Sequence, residues 1–130
     1  YYTLTDARCE PKGPQRPHPP ICIGGGGEKR TLPIAARYAQ HWNFPGGSTD
    51  DFRRKRDVLH EHCERIGRDP GEITTSTHLL MWPSKSVADV VAQAEAYAKV
   101  GLDLGIVYLE APVPPGVVGE LADALAPLSG

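Results

Sequence analysis

The run Gly24-Gly-Gly-Gly-Glu-Lys-Arg-Thr31 is the part of this chain best suited to chemistry. Glycines between a strand and a helix bring bare backbone amides and a helix N-terminus to one point, which is an anion site. Gly24, Gly25, Gly26 and Gly27 supply the bare backbone, and the Gly25, Gly26 and Gly27 amides are the expected donors. Lys29 and Arg30 add positive charge, and the Thr31 hydroxyl can donate to a phosphate oxygen or cap the helix. The run meets neither the Walker A pattern nor the dinucleotide fingerprint in full, so a merely flexible turn is the competing reading.

Other candidates are weaker. His60, His62 and Cys63 resemble metal ligands in type. Residues two apart on a helix point about 200° from each other, so His60 and His62 cannot share a metal, and no metal site is expected. His62 and Cys63 are assigned instead to the helix face and edge that pack on the sheet. Trp42 and Asn43 end a strand and could border a cofactor ring, with core packing equally open for Trp42. His78 sits within a strand, where a hydrogen-bonded core histidine is the favoured reading. Glu110 follows a strand directly, and no catalytic role is assigned to it or to any other residue. The charged cluster from Asp50 to Arg56 reads as a solvated helix face.

These residues need elements to position them. Residues 1–19 hold Pro11, Pro14, Pro17 and Pro19, and missing amide donors with fixed φ make this an extended lead-in loop. Residues 20–130 form the domain proper. Pro20 to Gly24 is a short buried strand, and Leu32, Ala35, Ala36 and Ala39 follow at helical spacing. His41 to Phe44 is a brief strand. Ser48 or Thr49 caps a helix whose apolar face is Phe52, Leu59, Cys63 and Ile66, and Gly67 stops it. Ile73 to Trp82 is a third strand ending at Pro83, and Ser86 to Val100 carries Val87, Val90, Val91, Ala94 and Tyr97 on one helical face. Leu104 to Leu109 is uniformly apolar, as a strand covered on both faces must be. Val118, Leu121, Ala122, Leu125 and Leu128 make a last amphipathic helix. The order βαβαβαβα is α/β with a parallel sheet, and four such units make half of a (β/α)8 TIM barrel.

Composition narrows the function classes. The chain has 130 residues, a formal charge of −2 and 40% hydrophobic residues, which gives no general attraction to nucleic acid or anionic membrane. Its apolar runs fall far short of the roughly 20 residues a membrane helix requires. A cytosolic protein is expected. Cys9, Cys22 and Cys63 are odd in number and widely spaced, so reduced thiols are expected rather than a disulfide framework.

The stretch Tyr2 to Lys12, followed by Pro14 to Leu32, resembles the luciferase-like monooxygenase family. Ala35-Ala-Arg-Tyr-Ala39, Trp42-Asn43, His62-Cys63 and Ile66-Gly-Arg-Asp-Pro70 continue the likeness in order, and it is nearest to the branch that uses coenzyme F420. The resemblance implies the C-terminal half of a barrel, with the loop from Gly24 to Thr31 holding the phosphate of coenzyme F420, or alternatively of FMN. It implies hydride transfer to or from a small-molecule substrate, the cofactor carrying the chemistry. Gly13, Pro33 and Gln40 depart from the family's usual residues. Four βα units leave strand edges exposed, so a homodimer or a separate N-terminal half-barrel is the expected partner. The alternative is a non-catalytic half-barrel that self-associates or is a truncated remnant, binding at most a phosphate-bearing ligand.

Overall fold

The computed structural model describes residues 3–8, 10–81 and 85–128. The lead-in, residues 3–8 and 10–20, carries no helix or strand and is exposed throughout. Four strands alternate with four helices after it: β1 (Cys22–Gly24), α1 (Thr31–Tyr38), β2 (His41–Phe44), α2 (Thr49–Arg65), β3 (Thr74–Met81), α3 (Val87–Ala98), β4 (Leu104–Leu109) and α4 (Val117–Leu125). The strands are parallel in the order β1-β2-β3-β4. A doubly wound sheet reverses its strand order at a switch point, and a barrel segment does not. The fold is therefore α/β with the strand order of a barrel segment. The expected end of β3 at Trp82 and Pro83 lies outside the described residues, as does Cys9.

Local chemistry fixes the helix ends. Ser48 accepts from the Asp51 amide at 3.0 Å while Asp51 accepts from the Ser48 amide, and Ser86 and Asp89 repeat this reciprocal box on α3. Two orphan donors are satisfied at each start. Arg68 donates to the carbonyls of Ala36 and Ala39 at 2.8 and 2.6 Å, placing a cation on the C-terminal end of α1.

The core lies between the sheet and its helices. Trp42 and Phe44 of β2, Leu79 of β3, Leu32, Ala35 and Ala36 of α1, Phe52, Leu59 and Cys63 of α2, and Val90 and Tyr97 of α3 are buried. Alternation along β2 and β3 sends these strand residues to the helix side and leaves the other face open. That openness corrects two expectations. β1 and β4 are not strands buried on both sides: Cys22 and Gly24 are exposed, and Leu104 and Tyr108 are 45% and 46% exposed. An apolar run reports what a strand can bury, and no further layer covers this face among the described residues. Two helix faces also shift. Val117 and Leu121 are the buried residues of α4 while Val118 points outward, and Ile66 is the exposed C-terminal cap of α2.

Candidate functional site

β1 ends at Gly24, and the loop beyond it turns back to begin α1 at Thr31. Gly25 has φ near 120°, a conformation that disfavours any side chain, and a Cβ there would press on Thr31 Cγ2 at 3.1 Å. Its polar groups are already used. The Gly25 amide donates to Asn43 O at 3.1 Å, and Gly25 O accepts from Trp42 Nε1 at 2.8 Å. Gly25 therefore anchors the loop to β2, and its amide, expected as a phosphate donor, is already taken. Gly24 likewise belongs to the β1–β2 ladder, paired with Asn43.

The next residues make an open concavity lined by Gly26, Gly27, Glu28, Lys29, Arg30, Thr31 and Lys55. Gly27 O accepts from the Leu32 amide at 3.0 Å, which closes the turn and leaves the amides of Gly26 to Arg30 without a described acceptor. Thr31 is the first residue of the helix, so its hydroxyl faces back into the loop: a Cβ at Gly27 would lie 3.0 Å from Thr31 Oγ1. Pro33 is the third residue of α1, where a missing N–H costs nothing. Five of the seven expected residues thus share one concavity. Free amides, a hydroxyl and cations there make a setting that can hold an anion.

Lys55 was not singled out by its sequence context. Its side chain, 20% exposed, lies along Gly26, and its Nζ donates to Glu28 Oε1 at 2.7 Å. Arg54 Nη1 donates to the same oxygen at 2.9 Å, and His62 Nε2 stands 3.3 Å from Glu28 O. α2 therefore clamps the loop through Glu28. The hydrogen bond and charge of Lys55, with Arg54 beside it, hold the Glu28 carboxyl below the usual carboxylate range.

His60, His62 and Cys63 diverge. His62 turns to Glu28 O, Cys63 is buried in the core, and His60 lines a different hollow with Arg56, Ile73 and Asp103. Burial, then the nearby Arg56 charge, push the His60 pKa below its ordinary 6.5. The unfolded chain then binds a proton that the folded one refuses, so this stability is full above about pH 6.5 and is lost as pH falls through the folded pKa. Thermal melts from about pH 8 to about pH 5 should show that decline, and His60→Gln should flatten it. An equal slope in the variant would refute the assignment.

Trp42 packs in the core, stacked on Phe52 with ring centroids 6.0 Å apart, and does not border the open face. Asn43 does. Its Nδ2 donates to Ser76 Oγ at 2.8 Å, and His41 Nε2 lies 2.6 Å from the same oxygen. His78, expected to be a core histidine, stands half-buried on the open face with its ring 4.6 Å from Tyr108. Glu110 lies just past β4, lining a hollow with Met81 and Lys85. Gln40 Oε1 accepts from the Ile21 amide at 2.9 Å, so this departure from the family's usual residue fastens the start of β1.

No helix among the described residues is long and apolar enough to cross a membrane. Comparison with curated proteins gave no match. Among solved structures, the chain is similar to the coenzyme F420 dependent tetrahydromethanopterin reductase from Methanopyrus kandleri, with a TM-score of 0.55 and 13% identity over 82% of this chain and 48% of the reductase. That likeness shows the fold, and the chain spans about half the length of that relative. DmoA from Hyphomicrobium sulfonivorans is 23% identical over 71% of this chain and 19% of its own, at a TM-score of 0.46 that carries no argument. The family model described as luciferase-like monooxygenase matches residues 1–123, nearly the whole chain, and the protein therefore belongs to the luciferase-like monooxygenase family.

Proposed function

We propose that this chain is the C-terminal half-barrel of a flavin- or deazaflavin-dependent oxidoreductase and supplies the site for the cofactor phosphate. The observation that carries this reading is the concavity where Gly26, Gly27, Lys29, Arg30, Thr31 and Lys55 surround free backbone amides at the start of α1. Coenzyme F420 is the favoured ligand, since the similar reductase is described as dependent on it, and FMN is the alternative. When bound, such a cofactor supplies hydride chemistry toward a small-molecule substrate. The residues of this chain bind and orient it: amides and Thr31 hydrogen-bond the phosphate, and Lys29, Arg30 and Lys55 offset its charge.

The open sheet face and the outer edges of β1 and β4, unpaired among the described residues, support a second half-barrel as partner, either a separate N-terminal half or another copy. Exposed Leu80, Leu104 and Tyr108 would be covered by it. A second reading, a self-associated half-barrel that binds phosphate-bearing ligands without catalysis, rests on the same exposed face. Light scattering at micromolar concentration separates them from a stable monomer, which would refute self-association.

Fluorescence titration with coenzyme F420 and FMN tests the proposal. Saturable binding, weakened about tenfold by Lys55→Ala through loss of one charge-assisted contact, is the expected result. Absence of binding to both ligands would refute it.

A further inference from the structure

The concavity at the start of α1 contains a carboxylate among its cations. Glu28 lines it together with Lys55, and Glu28 Oε1 accepts from Lys55 Nζ at 2.7 Å and from Arg54 Nη1 at 2.9 Å. A carboxylate in an anion site opposes its ligand. Glu28 is held there, because two cations grip its side chain and His62 Nε2 stands 3.3 Å from its backbone oxygen. The hydrogen bond and charge of Lys55 also keep its carboxyl below the usual carboxylate range, so it stays ionised in mildly acid solution.

Charge is therefore cancelled where burial would make it strongest. Lys55, 20% exposed, is the least exposed cation lining the concavity and is paired with Glu28, while Arg54 is shared between Glu28 and Asp51. Lys29 and Arg30 are exposed, where solvent and salt screen them. An ammonium carries three donors and Glu28 takes one from Lys55, so hydrogen bonds remain for a ligand oxygen although little uncompensated charge does. Such a cradle suits one negative charge better than two. We propose that Glu28 is a specificity-determining residue, making the cradle select a singly charged phosphodiester over a doubly charged phosphomonoester. The inference rests on the phosphate reading above and names the class of phosphate. A clamp that only shaped the loop would act on both classes alike.

The test titrates the chain with FMN, a phosphomonoester, and with the methyl phosphodiester of FMN, which keeps the ring and chain and carries one charge fewer at about pH 8. The wild-type chain is expected to bind the diester about threefold more tightly, the scale of one extra charge near a partly screened carboxylate. Glu28→Gln keeps an acceptor for Lys55 and Arg54 but removes the charge. It should strengthen FMN about tenfold and the diester about threefold, which erases the preference. At about pH 5 the second phosphate proton has returned to FMN, so the wild-type preference should also vanish there, a reading that needs no variant. Tighter or equal binding of FMN at about pH 8, a preference that persists at about pH 5, or a folded Glu28→Gln chain with an unchanged ratio of affinities each overturns the selection alone. Failure of the wild-type chain to bind either ligand overturns the phosphate reading and this inference with it.

Discussion

Phe52→Ala is expected to destabilise the chain by about 3–5 kcal/mol, a large share of the roughly 5–15 kcal/mol that holds a domain folded. Phe52 is wholly buried and joins three elements. Its ring stacks on Trp42 at 6.0 Å and meets Phe44 and Tyr97 edge-on at 5.7 and 5.9 Å, so β2, α2 and α3 converge on one side chain. Truncation loses that transfer energy and opens a cavity that the three remaining aromatic rings cannot easily refill. Urea denaturation measures the loss. Ile66→Ala, at the exposed C-terminal cap of α2, serves as the contrast and should fall within about 0.5 kcal/mol of the parent. A Phe52→Ala cost below about 1 kcal/mol would show that the aromatic cluster is not the centre of the core.

Gly26→Asp is expected to lower affinity for a phosphate-bearing cofactor about 100-fold, roughly two factors of ten at about 1.4 kcal/mol each. One factor comes from a carboxylate facing a phosphate, the other from its capture of Lys55, whose side chain a Cβ at Gly26 would meet at 3.7 Å. Gly26, unlike Gly25, needs no left-handed φ, so the variant should fold and melt like the parent. Gly119→Asp on the exposed side of α4 adds the same charge elsewhere and should leave binding intact. Equal effects of the two substitutions would make the loss one of net charge, not of the loop.

The element order could be read from sequence because each element carries its own local signal. Ser48 and Ser86 announce helix starts, Gly67 announces an end, and short apolar or aromatic runs lie between the helices. Contacts set by tertiary packing could not be read that way. Lys55 sits among charges whose i,i+4 pairing already explains them, and its place beside Gly26 depends on how α2 lies against the loop. The His41–Ser76 contact joins residues 35 apart and exists through the register that sets His41 against Thr74. The Gly25 amide looked free in the sequence because nothing local reveals that Asn43 O takes it. An apolar β4 carries no mark of which of its faces will be covered.

Amide chemical-shift mapping by NMR during titration with FMN or coenzyme F420 tests whether the loop amides of this chain hold a cofactor phosphate. Saturable shifts are expected at the Gly26, Gly27 and Thr31 amides, with a small response at Gly25, whose amide is already bonded to Asn43 O, and none at Gly67 or Gly119. Shifts that avoid Gly26 and Gly27, or none at saturating ligand, would contradict that role.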